Sequence, residues 1–201
     1  MLENMPPMWF VKMQKECPSV PEGIPYVRHL GEFNPNIVRV FVDKYGAKGM
    51  VFWEPFAGHL GLNHTIEICA THGVRLIACD IASCDERVIR ANSISTRPSE
   101  PIDGMIFHPP YYGSAPMSNV EGEISLDYDN YFGNLEMVAD NADMIMKVGS
   151  HVCSVGRTLT VEGDKYRLDW IFAKLFIDRG YEVVDVFGSM PDCVVILEKK
   201  R

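Results

Sequence analysis

The sequence predicts an α/β fold, a mostly parallel sheet with helices on both faces and a C-terminal antiparallel hairpin. Apolar runs of strand length alternate with longer stretches in which apolar residues recur every three or four positions. This alternation is typical of parallel sheets, because a crossover helix must return the chain to the same edge. The last two predicted strands, 181–187 and 193–198, follow each other directly across a turn at 189–192. They therefore form a hairpin.

Each element follows from a local pattern. Asn34 and Pro35 are typical of a helix start, and Gly46 is typical of a helix end, so the first helix is predicted between them. The other predicted helices are 62–72, 84–95, 130–147 and 164–179. The other predicted strands are 50–53, 74–79, 104–107 and 150–155.

Length and composition favour one globular domain over residues 1–201, with an N-terminal arm at 1–27 and a mobile polar loop at 113–129. No apolar run reaches the roughly 18 residues of a membrane span, and the N-terminus lacks a signal core. We therefore expect a cytoplasmic protein with no membrane partner.

The six cysteines form no Cys-x-x-Cys pair, which favours free thiols and no metal site. The net charge of -8 argues against binding a duplex through phosphate contacts alone.

A proline-rich stretch, His108-Pro109-Pro110-Tyr111, follows the strand at 104–107. Neither proline can donate to a sheet, and each pushes the preceding residue towards extended geometry. We expect a stiff platform whose backbone carbonyls have no regular partner, with one imidazole and an aromatic face. Such a platform suits a flat ring that carries an amino group. A plain surface turn is the alternative.

A second stretch, Glu54-Pro55-Phe56-Ala57-Gly58-His59-Leu60-Gly61, follows the strand at 50–53. Its glycines allow the backbone to approach a ligand closely. Asp80 ends the next strand, where an acid commonly accepts both hydroxyls of a ribose. In parallel sheets a ligand lies beyond the carboxyl ends of the strands. We therefore predict a nucleoside-like cofactor here, with Ile81 beside it; the alternative for Asp80 is a capping residue.

These stretches resemble the S-adenosylmethionine-dependent methyltransferases that modify exocyclic amines of DNA bases, at N6 of adenine or N4 of cytosine. Residues 54–61 resemble that family's cofactor motif, Asp-Pro-Phe-x-Gly-x-Gly, and residues 108–111 its catalytic motif, Asp/Asn/Ser-Pro-Pro-aromatic. The segment from His29 to Pro35, with Phe33, resembles the part that covers the methionine end of the cofactor. The resemblance spans about residues 27–198 and implies a Rossmann-like methyltransferase fold with S-adenosylmethionine as cofactor.

The sequence departs from the family in several places. Glu54 replaces an aspartate, His59-Leu60 replaces small residues, and His108 stands where the family has Asp, Asn or Ser. No stretch is long enough for the family's separate target-recognition region. We therefore expect low sequence specificity, a homodimer, or a partner subunit that supplies recognition.

The resemblance implies methyl transfer to an amine of a nucleic-acid base, with DNA carrying a flipped or single-stranded base as the first choice. His108 and the Pro109 carbonyl would accept hydrogen bonds from the amine, and Tyr111 would stack on the base. For His108 the alternative is a histidine tied to backbone at the strand end. For the whole protein the alternatives are an RNA-base or other amine methyltransferase, and a catalytically impaired cofactor-binding subunit of a larger complex.

Overall fold

The computed structural model describes residues 34–58, 64–83, 85–111, 124, 130–161, 164–189 and 192–201. The described helices are α1 (Pro35–Tyr45), α2 (His64–Thr71), α3 (Tyr131–Ile145) and α4 (Leu168–Ile177). The described strands are β1 (Val51–Glu54), β2 (Arg75–Asp80), β3 (Ile89–Arg90), β4 (Ile102–Phe107), β5 (Met146–Val161), β6 (Asp164–Arg167), β7 (Tyr181–Ser189) and β8 (Asp192–Lys199).

Some predicted features lie outside these ranges. They are the arm at 1–27, the cofactor residues His29, Phe33 and Gly61, and the loop at 113–129 apart from Ile124, which is buried.

The described strands form one sheet in the order β3-β2-β1-β4-β5-β8-β7, with β6 paired to the end of β5. The pairs β1–β2, β1–β4, β2–β3 and β4–β5 are parallel. Strand β8 runs antiparallel to both β5 and β7. The C-terminal hairpin thus inserts one antiparallel strand into a parallel sheet, which confirms the predicted fold class.

Helices cover both faces of this sheet. Alternate residues of a strand point to opposite faces, and the two hydrophobic clusters divide accordingly. Trp53 and Phe107 pack with α3 and α4, whereas Phe52 and Ile106 pack with α1 and α2. Because both faces are covered, the central strands are apolar at consecutive positions, as expected for a parallel sheet.

Helix α1 begins and ends where its sequence predicts. The Asn34 side chain accepts a hydrogen bond from the Asn36 backbone N–H at 3.0 Å, and Pro35 occupies the first turn. The Gly46 N–H donates to the Val42 carbonyl and closes the helix. Within the described residues, no helix is both long enough and apolar enough to cross a membrane.

The prediction of a helix over 84–95 is wrong. The described residues of this stretch form turns and the short strand β3, which pairs with the end of β2. Asp85 Oδ1 accepts from the Arg87 backbone N–H at 2.9 Å, and Asn92 Oδ1 accepts from the Ile94 N–H at 3.0 Å. Short polar side chains that bind nearby backbone groups compete with helical hydrogen bonds, and here they prevail.

The predicted helix over 164–179 begins only at Leu168. Strand β5 is far longer than the predicted 150–155, and β6 folds back to pair with its last residues, Thr158 facing Arg167. The antiparallel partner satisfies the backbone groups that a helix would otherwise satisfy internally. This pairing decides the conformation of 164–167.

Candidate active site at the carboxyl edge of the sheet

The residues predicted to carry the chemistry come together because three adjacent strands end at one edge. Strands β2, β1 and β4 are neighbours and run parallel. Their carboxyl ends hold Asp80, Glu54 and His108. In open α/β sheets ligands bind at this edge. The three motifs, separated in sequence, therefore share one site.

The loop after β1 is tied to the end of β2. The Ala57 backbone N–H donates to the Cys79 carbonyl at 2.9 Å, and the Gly58 N–H donates to Asp80 Oδ2 at 3.0 Å. Gly58 has φ of 87°, in the left-handed region that favours glycine. Among the described residues, nothing lies within 4 Å of a Cβ placed on Gly58. The backbone at Gly58 therefore leaves room among them at the predicted cofactor position.

Asp80 binds both neighbouring loops. Its second carboxylate oxygen, Oδ1, accepts from the Ala82 N–H at 2.9 Å, across Ile81. Asp80 therefore caps a turn, which is the alternative role that the sequence left open for it. The Asp80 carboxylate thus joins the loop after β1 to the turn after β2, at the edge of the sheet where ligands bind.

Glu54 is buried at the end of β1, with 2% of its surface exposed, and Thr65 Oγ1 lies 3.5 Å from its Oε1. Burial, and then the negative charge of Glu54, raises the pKa of the Cys69 thiol to about 12. Burial also raises the pKa of the Cys79 thiol. These thiols are protonated at neutral pH, which makes them unsuitable as nucleophiles. Among the described residues, no cluster of His, Cys, Asp and Glu could hold a metal.

Hydrogen bonds and an aromatic contact support the loop that follows β1. Ser93 Oγ donates to the Pro55 carbonyl at 2.9 Å. Asn141 Nδ2 on α3 donates to the Ser93 carbonyl at 3.0 Å. Phe56 meets the Phe107 ring edge-on, with centroids 5.8 Å apart. Ser93 and Asn141 carried no sequence signal, because polar residues at such positions are common.

His108 is nearly buried, with 9% of its surface exposed. Its Nε2 lies 3.1 Å from the Tyr111 hydroxyl, and the two rings are almost perpendicular. The histidine is thus hydrogen-bonded to a side chain of its own motif. The Tyr111 hydroxyl can donate to Nε2 or accept from it, according to which ring nitrogen of His108 carries the proton.

The platform has a side-chain hydrogen-bond partner from a distant helix. The Pro110 carbonyl accepts from the Tyr131 hydroxyl at 2.8 Å. Tyr131 is 2% exposed at the start of α3. The platform is therefore bonded to a helix 21 residues further along the chain, a contact that no local pattern indicates.

The Tyr111 ring, predicted to stack on a base, also has protein neighbours. It stacks on Phe172 with centroids 6.3 Å apart, and the Arg157 guanidinium carbon lies 5.3 Å from its centroid. Arg157 Nε donates to Asp192 Oδ1 at 3.2 Å. Arg157 and Asp192 belong to strands β5 and β8, so only the sheet pairing brings them to the site.

No protein-family model matches this sequence, and no curated protein matches it either. Several solved structures do match this chain. The 1,6-didemethyltoxoflavin-N1-methyltransferase of Burkholderia thailandensis, solved with 1,6-didemethyltoxoflavin and S-adenosylhomocysteine, is 13% identical with a TM-score of 0.54. The match covers 82% of this chain and 77% of that one.

Two further matches come from Thermus thermophilus. TrmN is 15% identical with a TM-score of 0.56, and the match covers 82% of this chain and 48% of TrmN. The 16S rRNA N2 G1207 methyltransferase RsmC, solved with AdoMet and guanosine, is 12% identical with a TM-score of 0.52, covering 85% of this chain and 44% of RsmC. The chain spans less than half the length of these two proteins. It has the Rossmann-like fold that these methyltransferases share, closed by a C-terminal antiparallel hairpin.

Proposed function

We propose that this protein transfers a methyl group from S-adenosylmethionine to an exocyclic amine of a nucleic-acid base, with N4 of cytosine or N6 of adenine in DNA as the first choice. The observation that carries the proposal is the adjacency of the His108-Pro109-Pro110-Tyr111 platform and the Gly58–Asp80 loop pair at the ends of neighbouring strands. The platform suits a flat ring that carries an amine, and the Gly58–Asp80 loop pair suits the nucleoside part of a cofactor.

The residues of the cofactor region fit S-adenosylmethionine. No described residue lies within 4 Å of a Cβ placed on Gly58, and the Asp80 carboxylate lies beside Gly58 at the end of β2, where an acid commonly accepts ribose hydroxyls. When bound, the cofactor supplies an electrophilic methyl group on a sulfonium sulfur. We assign the cofactor contacts to Asp80, Ile81 and the loop from Glu54 to Gly58. From the sequence resemblance we add His29, Phe33 and Gly61.

The platform residues would hold the acceptor amine. A nitrogen that gains a methyl group gains positive charge, so preorganised acceptors around it stabilise the transition state. A ring nitrogen of neutral His108 and the Pro109 carbonyl serve as these acceptors, and His108 can then take the released proton. Burial of His108 strengthens both interactions, because the local dielectric is low.

Methylation of an RNA base is the second candidate. It is favoured by the similarity to RsmC, an rRNA methyltransferase solved with guanosine. A flat RNA base meets the same platform as a DNA base, and the net charge of -8 suits a single exposed base better than a long duplex.

The deciding experiment measures transfer from methyl-labelled S-adenosylmethionine into separate pools of DNA, RNA, protein and small amines. We expect label in nucleic acid, at a base amine identified after nuclease digestion, and loss of that label with His108→Ala. Label in protein or small amines alone contradicts the proposal. Cofactor binding without transfer to any pool supports instead a cofactor-binding subunit of a larger complex.

A further inference from the structure

Arg157 connects the far side of the sheet to the candidate platform. It lies on β5 directly opposite Asp192 of β8, as Cα partners of an antiparallel pair. Its Nε donates to Asp192 Oδ1 at 3.2 Å, and its guanidinium carbon lies 5.3 Å from the centre of the Tyr111 ring. No motif in the sequence points to this residue.

Asp192 is a firm anchor for the guanidinium. Its side chain is only 2% exposed, and its Oδ2 lies 3.4 Å from the Asn34 backbone nitrogen at the start of α1. A buried carboxylate strongly favours keeping its cation, because an unpaired charge is costly in a low-dielectric interior. The Arg157 head is therefore held in place by two strands and the first turn of a helix.

The held guanidinium in turn restrains Tyr111. An arginine at this distance from an aromatic ring is attracted by the electron density of the ring face, and more strongly when water is partly excluded. Only 27% of the Arg157 side chain is exposed. Tyr111 lies in a loop and not in a helix or strand, so its contacts with Arg157 and Phe172 restrain a ring that no regular backbone structure holds.

We propose that Arg157 is a positioning residue of this site. It holds the Tyr111 ring so that the Tyr111 hydroxyl, 3.1 Å from His108 Nε2, keeps the imidazole in one orientation. Its importance for methyl transfer rests on the proposed function above, where a defined ring nitrogen must accept from the amine. Its effect on His108 itself does not depend on that function.

The direct test observes the His108 ring nitrogens. The full chain, labelled with ¹⁵N-histidine, gives two-bond nitrogen–proton spectra in which His108→Gln identifies the His108 signals among the six histidines. At pH 8 we expect Tyr111→Phe to change the chemical shift of the His108 ring nitrogen that is hydrogen-bonded to the Tyr111 hydroxyl. Arg157→Gln should move that signal in the same direction, because it releases the Tyr111 ring.

Arg75→Gln is the matched control, because Arg75 pairs with Glu100 at the amino end of β2, the opposite edge from the site. It should leave the His108 signals unchanged. Unchanged signals in Arg157→Gln overturn the proposal, and so does a Tyr111→Phe protein whose His108 signals match those of the wild type. If circular dichroism shows that Arg157→Gln does not fold, Asp192→Asn and Arg157→Lys decide in its place: the first should move the same nitrogen signal, and the second should largely preserve the wild-type spectrum.

The kinetic test separates this role from the function on which it rests. Arg157→Gln should lower kcat for methyl transfer about 10-fold to 100-fold, the range for a small misplacement of reacting groups, with unchanged cofactor affinity. An unchanged kcat removes Arg157 from the mechanism. If the wild type transfers no methyl group to any substrate, the proposed function fails, and the nitrogen spectra still decide whether Arg157 positions His108.

Discussion

At the scale of single residues, His108 is the most informative position in the molecule. It stands where the resembling family has a carboxylate, amide or hydroxyl, and it is nearly buried beside Tyr111. A neutral imidazole offers one acceptor nitrogen, whereas a protonated imidazole offers none and brings a positive charge. The proposed chemistry therefore requires the neutral form.

His108→Ala should bind S-adenosylmethionine normally but lose methyl transfer by roughly 100-fold or more, as for the loss of one preorganised polar group. Wild-type transfer should fall towards acid pH as the imidazole takes up a proton. His108→Asp should keep or gain activity with its acid limit moved to lower pH, because the shorter carboxylate fits within the space of the histidine and ionises at lower pH.

These three rates are measured across a pH series, with calorimetry as the check on cofactor affinity. Transfer by His108→Ala at the wild-type rate would show that the histidine is structural and that another group holds the amine.

The proposed cofactor site depends most directly on Asp80. Asp80→Ala should weaken cofactor binding by about 1.5–3 kcal/mol, the range for hydrogen bonds that involve a charged group. Asp85→Asn is a suitable control, since Asp85 lies on the same loop but pairs with Arg87. Titration calorimetry on both variants measures the change, and an unchanged affinity in Asp80→Ala removes the assignment.

At the scale of elements, a histidine joins α1 to the end of α2. His72 Nδ1 lies 2.8 Å from the Ile68 carbonyl and Nε2 lies 2.7 Å from Asp43 Oδ1. Both partners are acceptors, so the doubly protonated ring satisfies both. The bond to the Ile68 carbonyl, and then the Asp43 carboxylate, raises the pKa of His72.

A raised pKa in the folded state means that this contribution to stability is fully present below the unfolded value of about 6.5 and is lost as pH rises through the folded pKa. His72→Gln should therefore destabilise the protein more at pH 6 than at pH 8. The difference should stay below about 1 kcal/mol, because the pair is partly exposed. Urea unfolding at both pH values measures it, and an equal or reversed difference contradicts the assignment.

Another element-scale feature is the close approach of β5 to α4 at Gly156. A Cβ built on Gly156 lies 2.3 Å from the Asp169 backbone nitrogen, and Ser154 Oγ donates to the Asp169 carbonyl at 3.0 Å. Backbone atoms at that distance cannot move aside cheaply. Gly156→Ala should therefore cost roughly 1–3 kcal/mol of unfolding free energy, as overpacking does.

Val148→Ala is the control for this variant, because Val148 lies on the same strand with 68% of its surface exposed. It should change stability little. Denaturant unfolding compares the two, and a Gly156→Ala protein as stable as the wild type would mean that α4 shifts without cost.

At the scale of the whole molecule, the overall charge bears on how the protein selects its substrate. The net charge of the sequence is -8, which disfavours binding a long duplex through phosphate contacts alone. We predict either low sequence specificity or recognition supplied by a second copy or a partner subunit. Sedimentation combined with mapping of the methylated positions tests this, and a lone monomer that methylates one defined sequence would contradict it.

Much of the fold was predictable because its signals are local. The Asn34-Pro35 start and Gly46 end of α1, the apolar strands, and the turn between β7 and β8 depend on residues close in sequence. The glycine loop, Asp80 and the proline platform were also visible as motifs at strand ends. Parallel strands place their carboxyl ends at one edge, so even the grouping of these motifs followed from the element order.

What only the tertiary structure decided depends on partners far apart in sequence. Strand β6 forms at 164–167 because an extended β5 lies beside it, and Ile89–Arg90 is a strand because it pairs with the end of β2. Tyr131 fastens the platform, and Arg157 reaches Tyr111 only because β5 and β8 are neighbours. Local patterns specify how a segment can fold, but these contacts arise from the packing of whole elements, which no short window of sequence contains.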